Sequence, residues 1–80
     1  MSAWSFIGSC PDGSKFEIEG LNVWEHQWTC EPDTERAVVR DPLYDQEFSF
    51  YVWSVDTGKK KIRFAAGEFS NCMWGFYVQR

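Results

Sequence analysis

Over residues 47–79 the chain changes side-chain character at almost every second position, and that alternation restricts it to strands. Phe48, Phe50 and Val52 alternate with Ser49, Tyr51, Trp53 and Val55. Ile62, Phe64 and Ala66 alternate with Lys61, Arg63 and Ala65, and Trp74, Phe76 and Val78 with Met73, Gly75 and Tyr77. Aromatic and β-branched residues at a period of two are the pattern of a pleated strand, whereas a helix repeats at 3.6. Asp56-Thr57-Gly58 and Gly67-Glu68-Phe69-Ser70-Asn71 separate the three runs with turn-forming residues. The expectation is a C-terminal three-strand antiparallel meander.

Register decides which side chains share a face, because a slip of one residue turns a whole strand over. A three-residue loop, Asp56-Thr57-Gly58, pairs Val55 with Lys59 and gathers Phe48, Phe50 and Val52 beside Ile62, Phe64 and Ala66. Such a loop also suits a type I turn closed by a glycine. Pairing Ala66 with Cys72 adds Trp74, Phe76 and Val78 to the same side. The opposite face then carries Tyr51, Trp53, Lys61, Arg63, Met73 and Tyr77, with Lys61 between two aromatic rings. A solvated sheet face is ordinarily polar, so these six residues form the candidate interface or ligand face.

Upstream, residues 3–8 read as a short strand with Trp4 and Phe6 on one side, and residues 15–19 as another with Phe16 and Ile18 inward. Cys10-Pro11-Asp12-Gly13 and Gly20-Leu21-Asn22 are turns. Residues 23–30 read as a strand that buries Trp24, His26, Trp28 and Cys30 on one face. Residues 31–35 form a loop, and residues 36–40 favour a strand over a helical turn because Val38 and Val39 are β-branched. The fold expected is all-β: one domain, residues 1–80, of five to six mainly antiparallel strands in a curled sheet or roll. Its core is Phe16, Ile18, Trp24, Trp28 and the even-numbered face of the meander.

Eighty residues bury little surface, but fifteen aromatic side chains compensate for the small size. The net charge of −4 divides unevenly, about −7 over residues 1–47 and +3 over residues 48–80. That division serves internal pairing, self-association or a local anionic ligand. The first residues carry no basic segment followed by a long apolar run, so neither a signal peptide nor a membrane span is expected. Three widely spaced cysteines fit reduced thiols in the cytoplasm.

Catalytic chemistry finds little to work with. Cys10, Cys30, Cys72 and His26 hold the residue types of a zinc site, but no Cys-x-x-Cys knuckle. On a strand His26 and Cys30 stand roughly 13 Å apart, too far to share one ion. A histidine packed among aromatic rings and small cysteines explains the same residues without metal. Gly58-Lys59 lacks the spacing of a phosphate-binding loop. Glu68 with Ser70 and Asn71 reads as a surface turn over Phe69.

No enzyme, metal or cofactor is therefore expected. The aromatic and basic face has four readings: it is covered by residues 1–46, it is a protein interface, it stacks single-stranded nucleic acid, or Trp53 stacks a sugar ligand. The function expected is a small cytoplasmic protein-interaction module, self-associating as a homodimer or binding another protein. The alternative is a single-stranded nucleic-acid binder using the same face, which the acidic balance of the chain opposes.

Overall fold

The computed structural model describes residues 3–31, 36–41, 45–69 and 72–79. Its strands are β1 (Trp4–Pro11), β2 (Glu17–Ile18), β3 (Leu21–Asn22), β4 (Thr29–Cys30), β5 (Ala37–Arg40), β6 (Glu47–Asp56), β7 (Lys61–Glu68) and β8 (Met73–Gln79). The fold is all-β, as the alternation requires. Six strands form one antiparallel sheet in the order β1-β8-β7-β6-β4, with β5 beside β4 on the outer edge of β6. β2 and β3 form a separate hairpin. The sheet curls but does not close.

Within the meander strand identity follows the sequence pattern closely; register does not. Val55 pairs with Ile62, Trp53 with Phe64 and Tyr51 with Ala66, so the expected pairing of Val55 with Lys59 is displaced by three residues. The connection is residues 57–60, closed by the Thr57 amide donating to the Lys60 carbonyl at 2.9 Å. Gly58 also donates to Asp56 Oδ1 at 2.8 Å. An odd displacement reverses the relative facing of the two strands. Phe48, Phe50 and Val52 therefore lie opposite to Ile62, Phe64 and Ala66, not beside them. At the second hairpin Ala66 meets Phe76 instead of Cys72, an even displacement that keeps the facing. Gly67 and Glu68 continue β7 where a loop was expected. Ser70 and Asn71, Pro42 and most of the expected loop over residues 31–35 lie outside the described residues.

The displacement is tolerated because both faces have a core. On the first face Val23, Val55, Phe64 and Phe76 are completely buried, with Ile18, Ile62 and Ala66 nearly so. On the second, Phe50, Val52, Ala65 and Tyr77 of the meander pack with Ala37 and Val39 of β5. Trp4 of β1 closes on this second cluster across the curl. Burying one such side chain contributes about 1.5–3 kcal/mol, so each face is a real driving force. The meander is covered on both sides, the arrangement in which residues 1–46 fold over it.

Residues 12–28 supply the cover of the first face. Glu19 and Gly20, with φ of 53° and 82°, make the two-residue turn between β2 and β3. Asn22 then caps a single 3-10 turn, Val23–Glu25, its Oδ1 accepting from the Trp24 amide at 3.3 Å and the Phe16 amide at 3.1 Å. The continuous strand expected over residues 23–30 is thus reduced to Thr29–Cys30. The Asn22 side chain competes successfully for the amides a ladder would use. In consequence Val23, not His26, is the fully buried residue, and His26 ends the turn with its amide on the Val23 carbonyl at 3.2 Å.

Trp28 holds this cover down. Its ring packs at 4.9 Å from Trp24, 5.0 Å from Phe64 and 5.7 Å from both Trp53 and Trp74. Its Nε1 donates to the Val23 carbonyl at 2.8 Å. Phe16 stacks on Phe76 at 4.2 Å.

Candidate binding surface

Six residues formed the expected surface, and the register separates them. Tyr51 and Trp53 stay together on the first face, on neighbouring odd positions of β6. Arg63 is paired with Ser54 and Lys61 with Asp56, which turns both cations to the other side of the sheet. Met73 sits at the far end of β8 against Pro11.

Tyr77 is inside the molecule, 1% exposed, within the second cluster. Its hydroxyl donates to the Arg40 carbonyl at 2.9 Å, bridging from β8 to β5 across the curl. Burial, reinforced by the charge of Asp41, pushes its phenol up to about 12. The neutral phenol is the form this position selects, and its contribution is to structure.

Internal pairing uses part of the charge division between the halves of the chain. Arg63 Nε lies 3.1 Å from Glu31 Oε2, and its Nη1 donates to Gln79 at 3.4 Å. Lys60 Nζ lies 3.4 Å from Glu19 and donates to the Glu19 carbonyl at 3.0 Å. Both ion pairs join the acidic first part to the basic last part. Lys61 is exposed beside Asp56.

What remains on the surface is a smaller patch around Tyr51, which is 48% exposed. Trp53 meets it edge-on at 6.2 Å and is itself half-buried, with Nε1 donating to the Ala66 carbonyl at 3.1 Å. β5 contributes the rest. The Arg36 guanidinium sits 4.3 Å over the Tyr51 ring and donates to its hydroxyl. Val38, at 59%, is the most exposed large apolar residue among the described ones. It pairs with Ser49, two positions from Tyr51 on the same face of β6. Arg40 follows on this face and is held by Asp45 at 3.2 Å and Glu47 at 3.4 Å.

Arg36 and Val38 were not among the six residues read from the sequence. Adjacent Val38 and Val39 show no alternation, so nothing in that stretch tells which valine points outward. The discriminating signal is the register of β5 on β6, in which Val39 faces Phe48 and Val38 faces Ser49.

The chemistry of the other singled-out groups is plain. Cys10 is buried, Cys30 half-buried and Cys72 exposed, and all three are free thiols. Cys10 Sγ accepts from Trp24 Nε1 at 3.4 Å, a packing role. Among the described residues no three His, Cys, Asp or Glu side chains are grouped to hold a metal ion. Among them, too, no helix is long and apolar enough to cross a membrane.

These features define an all-β domain built on one six-stranded sheet, with a core on each face and a compact aromatic patch on its β5–β6 side. No family model matches this chain, and no curated protein or solved structure matches it either.

Proposed function

We propose that this chain is a small non-catalytic protein-interaction module that self-associates, in the cytoplasm, through the β5–β6 face. One observation carries the reading: Val38 and Tyr51, the two most exposed large apolar residues among the described ones, lie together on one face of adjacent strands. Tyrosine and tryptophan beside an arginine are the residue types enriched in interface centres. Arg36, already seated over Tyr51, brings an ordered side chain to the contact. Residues 1–46 cover the rest of the meander, so the contact is smaller than the six-residue face.

The competing reading, a platform for single-stranded nucleic acid, needs cations beside the stacking rings. Lys61 and Arg63 turn to the other face from Tyr51 and Trp53, Arg40 is engaged by two carboxylates, and Arg36 lies over the Tyr51 ring itself, on the face a base would need. The patch is therefore better suited to protein than to phosphate.

Absolute mass by light scattering, across a concentration series in low and high salt, tests the proposal. A dimer that persists in high salt is expected, and Tyr51→Asp or Val38→Asp should make it monomeric without loss of fold. A mass that stays monomeric at every concentration would refute self-association, and a dimer untouched by both substitutions would move the contact off this face.

A further inference from the structure

A second surface, away from Tyr51, carries a different inference. Among the described residues the β7–β8 ladder ends at Ala65 with Tyr77. Both strands nevertheless continue. β7 remains paired with β6 back to Lys61, and β8 remains paired with β1 out to Gln79. The sheet therefore splits at this end. A groove of about 580 Å³ opens in the split, inside the range of roughly 300–1,000 Å³ usual for ligand sites.

The lining bears out a gap between strands. Ile7, Ile18 and Val78, which pack with the first core, form an apolar floor, whereas Gln79 and Arg63 come from the other side of the sheet. Residues of both faces line the groove, as they do where the end of a strand pair is open. The rim opposite Arg63 is the β2–β3 hairpin with Glu17 and Glu19. These carboxylates face exposed Lys15 at 3.3 Å and Lys60 at 3.4 Å. Exposed pairs of this kind are weak and exchange readily for another cation.

We infer that this groove binds an extended peptide segment carrying an aliphatic side chain flanked by Lys or Arg. Parted strand edges recognise an extended backbone by completing the ladder, and alternate side chains give the specificity. The aliphatic side chain fills the floor of Ile7, Ile18 and Val78. The flanking cation replaces a lysine at Glu17 or Glu19, while Gln79 offers an amide to the peptide backbone. Arg63, held by Glu31 and Gln79, lines the other side of the groove. The inference stands apart from the self-association of the β5–β6 face.

The test is an NMR titration of the ¹⁵N-labelled chain with the capped peptide acetyl-Lys-Val-Lys-Val-Lys-amide. Saturable shifts are expected at the amides of Ile7, Ile18, Val78 and Gln79. The paired variant Glu17→Gln, Glu19→Asn should weaken binding by about tenfold. Asparagine tolerates the positive φ of position 19, so the fold survives the change. Peptide with Glu in place of each Lys should bind at least as weakly to the wild-type chain. Absence of saturable shifts, or shifts around Tyr51 and Val38 instead, overturns the inference. So does binding that the paired variant leaves unchanged.

Discussion

Gly67 and Gly75 stand opposite each other on β7 and β8, and a phenylalanine ring lies against each. A Cβ on Gly67 would come within 2.3 Å of the Phe50 ring, and one on Gly75 within 2.3 Å of Phe69. The paired glycines form a slot in the sheet that the two rings fill. Phe50 and Phe69 meet there at 5.7 Å, with Phe48 alongside. The space that Gly75 leaves thus belongs to Phe69.

Alanine at either glycine should force these rings from their positions. Gly67→Ala and Gly75→Ala are each expected to cost about 1–3 kcal/mol, the usual penalty of overpacking. Urea unfolding measures it. For Gly75→Ala, adding Phe69→Leu should return part of the loss, since the obstacle is the ring itself. A wild-type midpoint for both single variants would show that the slot has spare room.

The Tyr77–Arg40 bond should show itself in two ways. Tyr77→Phe leaves the Arg40 carbonyl without its phenol donor, a loss of about 1–3 kcal/mol when the acceptor stays buried. The phenol also links stability to alkaline pH. Its value rises on folding from 10.0 to about 12, first through burial and then through Asp41. The folded chain therefore holds the proton more tightly than the unfolded chain. This contribution is complete below pH 10 and is lost as pH rises toward 12. Chemical unfolding at pH 9, 10 and 11 should show a decline that Tyr77→Phe makes shallower.

Two half-buried tryptophans should respond unequally to loss of the indole N–H. Trp28 donates to Val23, whereas Trp74 Nε1 is buried without a hydrogen-bond partner among the described residues. Trp28→Phe removes ring area and strands a carbonyl, so a loss of about 2–4 kcal/mol is expected. Trp74→Phe removes area but also an unsatisfied donor, so its cost should be clearly smaller. Thermal or urea unfolding of the two variants side by side decides the order; equal losses would argue against the difference in hydrogen bonding.

Asn22 should prove more important than its partly exposed position suggests. Asn22→Ala releases the Phe16 and Trp24 amides together, at a cost of about 1–2 kcal/mol. Asn22→Asp retains the acceptor oxygen and should preserve most of the stability. Fluorescence from the Trp24–Trp28 pair, whose rings are 4.9 Å apart, reports whether the turn still seats the cover.

Much of the fold was legible in the residues themselves. The period of two marks β6, β7 and β8 because a pleated strand must alternate its side chains. The β-branched pair Val38–Val39 likewise favours the strand found at Ala37–Arg40. Trp24, Trp28, Phe16 and Ile18 join the core as expected, because large apolar side chains have no better place. Asn22 was read as part of a turn, but its capture of two amides changes the geometry after it. The tryptophans therefore enter the core from a 3-10 turn and a loop, not from one strand.

The candidate surface was legible only in part, and the reason is register. Alternation selects a pairing when one face is wet and the other dry. Here Trp53 and Val55 have a core on one side, and Phe50 and Val52 have another on the opposite side. Both pairings bury apolar groups, so the pattern within the meander is silent on the choice. The sequence by itself determined the all-β class, the three strands of the meander and most of the buried side chains, since these follow from local alternation and hydrophobicity. Tertiary structure alone decided which faces combine, because residues 1–46 supply the second partner that makes both faces dry. It thereby seated Tyr77 inside, turned Lys61 and Arg63 away from Trp53, and left Tyr51 outside beside Val38.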